Sequence, residues 1–162
     1  KKNKEIKIEL NSKNIISEFN VSICGSLNCI QLFLEMNKKL DKCNILNIGS
    51  DLSVIAPDQR LYKHLNFIKP ISYSIIKHGI VGMTKYLSAL LAEKNIRVNC
   101  LSPASIENNQ NQLFKKKIKK LIPLKRLSKK NEFNKLLLFL ISEDSSYITG
   151  QNIIADGGRS II

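Results

Sequence analysis

Tyr73 and Lys77 stand four residues apart, a spacing that on a helix puts both side chains on one face with their polar ends within mutual reach. An unperturbed phenol titrates near ~10. A neighbouring ammonium favours the phenolate and lowers that value toward the working pH, so that the phenol can pass a proton to or from an alcohol or carbonyl oxygen. Ser50 follows the short apolar run 44–49; at the C-terminal end of a strand its hydroxyl would serve the same oxygen, and open α/β sheets take their ligands there. Alone, a Tyr-x-x-x-Lys pair carries little weight in a chain with four Tyr and 22 Lys, because a solvated helix face produces it by chance.

The elements that must position these groups are legible in the apolar pattern. Phe19, Ile23, Leu27, Ile30, Leu34 and Met36 recur at helical spacing and predict a helix over 17–40. Residues 44–49 predict a buried strand. A stretch of some twenty residues with Pro57 and Pro70 follows, longer than most connections in compact domains and so functional or mobile. Ile76, Ile80, Met83, Leu87, Leu90 and Leu91 predict a helix over 71–94; Gly79 and Gly82 within it weaken it by about 1 kcal/mol each and suggest a close neighbour. A strand over 96–101, helices over 111–122 and 131–142, and a strand over 151–155 complete the order. In the last two helices Phe114, Ile118, Leu121 and Ile122, then Phe133, Leu136, Leu137, Leu140 and Ile141, are expected to face inward. Strands alternating with helices predict an α/β architecture on a parallel sheet.

Composition narrows the classes. With 26 Lys+Arg against 13 Asp+Glu the formal net charge is +13, the footprint first sought in nucleic-acid binders. Yet 22 of the cations are Lys, and Ile and Asn contribute 24 and 17 residues; all three have A/T-rich codons, so genome composition accounts for the basicity, and the aromatic side chains on which bases stack are scarce. No apolar run reaches membrane-spanning length, and Lys1, Lys2 and Lys4 lead into a charged stretch rather than a secretory signal. Cys24, Cys29, Cys43 and Cys100 contain no C-x-x-C pair and only His64 and His78 are available beside them, so no metal site is expected. Reduced, structural thiols and a cytoplasmic location follow.

Context gives the Tyr-Lys pair its meaning. A strand ending in Ser50, then Tyr73, Lys77, Arg97-Val98-Asn99-Cys100-Leu101-Ser102-Pro103, Leu121-Ile122-Pro123-Leu124-Lys125-Arg126-Leu127, Phe139-Leu140, Tyr147-Ile148-Thr149-Gly150-Gln151 and Asp156-Gly157-Gly158 run in one order. As a series, from about Ser17 to Gly158, this resembles the C-terminal part of the short-chain dehydrogenases/reductases. The resemblance implies a Rossmann-like doubly wound parallel sheet and an NAD(P)-dependent oxidoreductase that moves hydride between nicotinamide and a carbonyl or secondary alcohol. It makes Tyr73 the catalytic acid/base. Lys77 would lower the phenol's pKa and hydrogen-bond the nicotinamide ribose, while Ser50 would orient the substrate oxygen. Pro103, Ala104 and Ile106 would border the nicotinamide, with Ala104 where the family's motif has Gly, and Asn108 stands where a Thr commonly touches the diphosphate. The family's fourth catalytic member, an Asn, falls on Ser22 here and is left unassigned.

The interval from Ser50 to Tyr73 is also longer than usual in that family. It resembles the branch acting in bacterial flagellin-glycan (nonulosonic acid) and other surface-sugar pathways, which implies a sugar derivative as substrate and Asp51, Arg60, Lys63 or His64 against its phosphate or hydroxyls. A solvated loop with ordinary charges is the other reading. His78 reads as a helix-surface residue, and the run Lys115–Lys120 as the wet side of a helix, although that region covers the substrate in the family.

No Gly-rich turn of the kind that cradles a dinucleotide pyrophosphate occurs. Residues 1–162 are therefore expected to be the C-terminal portion of a single Rossmann-fold domain, an incomplete sheet inactive by itself, with NAD versus NADP undetermined. Such a chain exposes apolar helix faces, and a homo-oligomer through helices 17–40 and 71–94 is expected. The alternative is a non-catalytic remnant or interaction module.

Overall fold

The computed structural model describes residues 11–39 and 42–162. Its frame is a three-stranded parallel sheet, β1 (Cys43–Ile48), β2 (Ile96–Pro103) and β3 (Asn152–Ala155), in the order β1-β2-β3. Register runs from Cys43 opposite Ile96 to Ile48 opposite Leu101, and from Cys100 opposite Asn152 to Pro103 opposite Ala155.

β2 is buried on both faces, as a central parallel strand must be. Ile96, Val98 and Cys100 point to one side, where Val98 and Ile96 pack on Leu87 and Leu91, and Cys100 packs on Ile23, Ile76 and Ile80. Leu101 points to the other and meets Phe133 and Leu140. Helices therefore cover both faces, the doubly wound arrangement.

The first helical segment is α1 (Ser12–Phe19), continued through a wide π turn at Asn20–Cys24 into α2 (Gly25–Met36). It opens with Asn11, whose side chain accepts from the Asn14 amide. Inside the π turn Ile23 is buried, and a β-carbon on Gly79 would come within 3.4 Å of it. That is the neighbour expected for Gly79; Gly82 has open space instead. The helix expected to reach Leu40 ends at Met36, with Asn37 leaving helical geometry at φ −121°, and Leu40 lies outside the described residues. Half of its apolar face is uncovered: Phe19, Leu27 and Met36, expected inward, are exposed, while Ile23 is buried and Ile30 and Leu34 pack on the core.

α3 (Ile71–Leu91) begins where Pro70 holds extended geometry, and buries Ser72, Ile76, Ile80, Thr84, Leu87, Ser88 and Leu91 against the sheet. Leu90, also expected inward, is 59% exposed. Asn95, in the left-handed region at φ 55°, turns the chain from there into β2. On the opposite face lies α5 (Asn134–Ile141), where Leu140 is buried but Ile141 is exposed, against expectation. α4 (Gln112–Lys120) packs Ile118, with Ile122 and Leu127, on Leu61 and forms a satellite core at the C-terminal end of the sheet.

Candidate active site

The C-terminal ends of the strands are locked by polar contacts. Gly49 donates its amide to Leu101 O at 2.8 Å, so close to β2 that a β-carbon there would collide with Ser102 Oγ and lie 2.9 Å from Cys100 Sγ. Beyond it, Ser53, Ser102 and Asn152 form a buried triangle: the two hydroxyls lie 3.0 Å apart, Ser102 donates to Asn152 Oδ1 at 2.6 Å, and Asn152 Nδ2 donates to Ser53 at 3.3 Å. One contact set thereby ties the turn after β1 and the end of β2 to the start of β3.

Ser50 sits within this frame and is buried. Its hydroxyl donates to Asp51 Oδ1 at 2.9 Å and accepts from the Leu52 amide at 3.2 Å. Asp51 was expected to face substrate. The structure buries it instead: its Oδ2 accepts from Arg159 at 2.6 Å, and the two side chains are only 5% and 6% exposed. A carboxylate so engaged orients the Ser50 turn rather than a ligand.

α3 leads Tyr73 and Lys77 to the same place, packing on the 51–53 turn. Lys77 Nζ donates to Ile48 O, the last carbonyl of β1, at 3.1 Å and lies 5.8 Å from the Tyr73 ring centroid. Both side chains are half-buried. Burial pushes the Lys77 ammonium below the ordinary lysine value, with the Cys100 thiol partly offsetting it. Among the described residues one of its three donors is engaged, which leaves two for a ligand. The three groups expected to act together, Ser50, Tyr73 and Lys77, thus gather at one end of β1.

Lys69 is a member of this site that residue spacing did not single out. Its Nζ stands 3.6 Å from the Tyr73 ring centroid, on the ring face. The signal available was the Gln59 to Lys69 interval, which the fold closes: Gln59 accepts from the Lys69 amide at 2.9 Å and donates to Lys69 O at 3.0 Å. Tyr62 was missed as well. It packs between Phe67 and Phe114, at ring distances of 5.6 and 5.7 Å, and burial raises its phenol pKa.

The remaining expected residues are placed as follows. Pro103 ends β2, and Ala104 takes the motif's Gly position without positive φ, its amide donating to Ala155 O at 3.1 Å; the backbone there does not need Gly. Ile106 bridges to Ser128 and packs on the α5 side. Ala104 also lines, with Ser105, Arg126, Glu132 and Asp156, a cavity of about 320 Å³. Asn108 is exposed and its amide donates to Gln110 at 2.7 Å. Arg60 is exposed and grips Asp58 bidentately at 2.8 and 2.9 Å, holding that carboxyl below its usual range. Lys63 is exposed. His64 Nδ1 accepts from Lys117 at 3.2 Å while Nε2 contacts Asn111 Oδ1 at 3.3 Å, which ties the 59–65 segment to α4. His78 is exposed on α3, with Nδ1 against Ser74 O.

The ordered motifs downstream also have physical roles. Arg97 donates to Ile148 O at 3.0 Å and Ser142 O at 2.8 Å, and Asn99 donates to Ile148 O and accepts from the Gln151 amide. Together they clamp the loop that leads into β3. Gly157 and Gly158, at φ 67° and 88°, turn the chain after β3 so that Arg159 reaches Asp51. Among the described residues no three His, Cys, Asp or Glu side chains converge as a metal would need, and no helix is long and apolar enough to cross a membrane.

Comparison with known proteins places this geometry. A family model described as Enoyl-(Acyl carrier protein) reductase matches residues 2–160. Post-translational flagellin modification protein A of Campylobacter coli is 31% identical over 150 residues, 93% of this chain and 59% of that protein. The 3-oxoacyl-[acyl-carrier-protein] reductase FabG of Thermotoga maritima is 34% identical over 147 residues, covering 88% and 55%. A crystal structure of a short chain dehydrogenase from Leptospira borgpetersenii with bound NAD+ superposes with a TM-score of 0.86 at 32% identity, covering 94% of this chain and 58% of that one. The chain spans less than two thirds of the length of each of these relatives.

Proposed function

Because the chain belongs to the short-chain dehydrogenase/reductase family, we propose that it is the C-terminal portion of a single Rossmann-fold domain whose whole acts as an NAD(P)-dependent oxidoreductase on a carbonyl or secondary alcohol. The observation that carries this reading is the Lys77 ammonium seated on Ile48 O beside the Tyr73 ring, at the strand end that also holds Ser50.

The residues present fit a nicotinamide nucleoside. Lys77 keeps two donors for ribose hydroxyls, and Pro103, Ala104 and Ile106 offer a small, largely apolar wall at the end of β2. Asn108 is proposed beside the diphosphate, as the family resemblance implies. When bound, the cofactor supplies or accepts hydride at the substrate carbon. Tyr73 Oη donates the proton to the carbonyl oxygen in reduction and accepts it from the alcohol in oxidation. Lys77 holds positive charge beside that phenol. Ser50 turns its O–H from Asp51 Oδ1 to the substrate oxygen, and Asp51, pinned by Arg159, keeps the turn in place meanwhile.

A sugar derivative as substrate is proposed from the likeness to flagellin modification protein A, with Lys63 and His64 at the mouth of the site. A cytoplasmic setting agrees with four free cysteines, of which Cys43 and Cys100 are pushed by burial above the ordinary thiol value and so kept unreactive. Exposed Leu27, Phe33, Met36, Ile75 and Leu90 on α2 and α3 support subunit contacts through those helices. They also favour a second reading, a non-catalytic interaction module, for which a monodisperse oligomer formed without cofactor would speak.

The test extends the coding region upstream of Lys1 and follows reduced nicotinamide by absorbance. Tyr73→Phe should lower turnover by about 10²-fold or more, the usual share of acid–base catalysis; an unchanged rate refutes the reading. The 162-residue chain by itself should bind NADH and NADPH too weakly to register by calorimetry, and micromolar affinity would contradict its proposed partial character.

A further inference from the structure

We propose that Lys69 is the recognition point for an anionic group, a carboxylate or phosphate, carried by the substrate beside the oxygen that Tyr73 serves. The proposal rests on the oxidoreductase reading and names the substrate class of that site.

Lys69 is half-buried and lies on the Tyr73 ring at 3.6 Å from its centroid. Among the described residues its ammonium donates no hydrogen bond and joins no ion pair. A ring face attracts a cation but does not satisfy its three N–H donors. Partial burial of such a group costs free energy that an acceptor would return. Accordingly desolvation lowers the Lys69 pKa, Asp51 raising it through space and Lys77 lowering it further, with a smaller raising effect from Glu18. Asp51 is not its direct acceptor in the structure, where its oxygens take Ser50, Leu52 and Arg159 instead.

The position is also held, not incidental. Both polar groups of the Lys69 backbone are bound by the Gln59 side chain. Pro70 is itself extended, at φ −61°, ψ 147°, and stands at the N-cap of α3. Lys69 therefore enters the site from a closed loop, at a fixed distance from the helix that carries Tyr73. A ligand whose reacting oxygen meets Tyr73 has its adjacent substituent within reach of Lys69, and a carboxylate or phosphate there gains a charge-assisted hydrogen bond in a partly desolvated setting.

The experiment titrates the protein extended upstream of Lys1, as in the turnover assay, with pyruvate, dihydroxyacetone phosphate and uncharged hydroxyacetone while recording the lysine side-chain and Tyr73 ring resonances by NMR. At least one anion should shift Lys69 and Tyr73 and saturate at a concentration about tenfold or more below hydroxyacetone, the ratio one charge-assisted hydrogen bond supports. Which anion does so separates a carboxylate from a phosphate. Lys69→Gln should abolish the preference and Lys69→Arg should retain it. Lys85→Gln, on an exposed site three turns along α3 from Tyr73, should leave it unchanged and so exclude the net charge as its source. Equal affinity for anions and hydroxyacetone, no shift with either anion, or a preference that survives Lys69→Gln would overturn the proposal. None of these outcomes bears on hydride transfer, which the Tyr73→Phe assay judges separately.

Discussion

Breaking the Asp51–Arg159 pair should destabilise the fold far more than its single contact suggests. The two side chains are 5% and 6% exposed and meet at 2.6 Å, so removing one leaves the other's charge in a medium that cannot solvate it. Asp51→Asn strands the Arg159 guanidinium, and the expected loss is about 3–5 kcal/mol. Arg159→Met strands a carboxylate that keeps the Ser50 hydroxyl and Leu52 amide, both at 2.9 Å, so its loss is smaller, about 2–3 kcal/mol. The double variant has no unpaired charge and should lose only about 2 kcal/mol, because neutral replacements of a buried pair are close to neutral. Urea unfolding followed by circular dichroism measures all four corners of the cycle. A coupling of about 3 kcal/mol or more is expected, with Asp51→Asn melting roughly 6–20 °C lower at this chain size. Additive losses, with coupling under about 0.5 kcal/mol, would refute the claim that the pair acts as a buried unit.

Two further outcomes follow from other parts of the structure. Gly49→Ala should lower stability by about 1–3 kcal/mol in the same unfolding assay, since its β-carbon collides with Ser102 Oγ and Cys100 Sγ in a packed strand end; an unchanged midpoint would contradict that packing. The Arg126 guanidinium, bonding both Glu132 oxygens at 2.7 Å, holds that carboxyl down to about 2. A carboxyl lowered by folding contributes stability above its unfolded value, and the contribution is lost as pH falls through its folded value. The Glu132 resonance should therefore titrate near 2, and in Arg126→Met it should move toward 4.5.

Much of the fold was legible because parallel sheets write themselves into sequence. β2 reads as Ile96, Val98 and Cys100 alternating with residues that serve the other face, and α3 shows its buried stripe at Ile76, Ile80, Leu87 and Leu91. Tyr73 and Lys77 were legible for the same reason: helical spacing fixes their relation before any tertiary contact. The apolar surface of α1 and α2 was not, because periodicity reports that a face is apolar and not whether anything covers it. The partners of Asp51 and Arg60 were not legible because the sequence cannot show which charge finds which. Arg159 lies far along the chain from Asp51, whereas Asp58 captures Arg60 through a tight local turn. Lys69 escaped notice because its place depends on the Gln59 side chain closing a loop, a contact with no periodic signature.

The Asp51–Arg159 contact spans 108 positions, and that separation has a consequence during synthesis on the ribosome. At about 5–20 residues per second, roughly 5–20 s pass between translation of the acid and of the base that neutralises it. Throughout that interval the carboxylate has only water and local amides, and desolvating it is unfavourable. The nascent chain can form α3 and pair its first two strands, yet the turn carrying Ser50 settles only after the last strand docks and delivers the guanidinium. Maturation of the sheet end that carries Ser50 is thus a late event, gated by arrival of the most distal part of the fold.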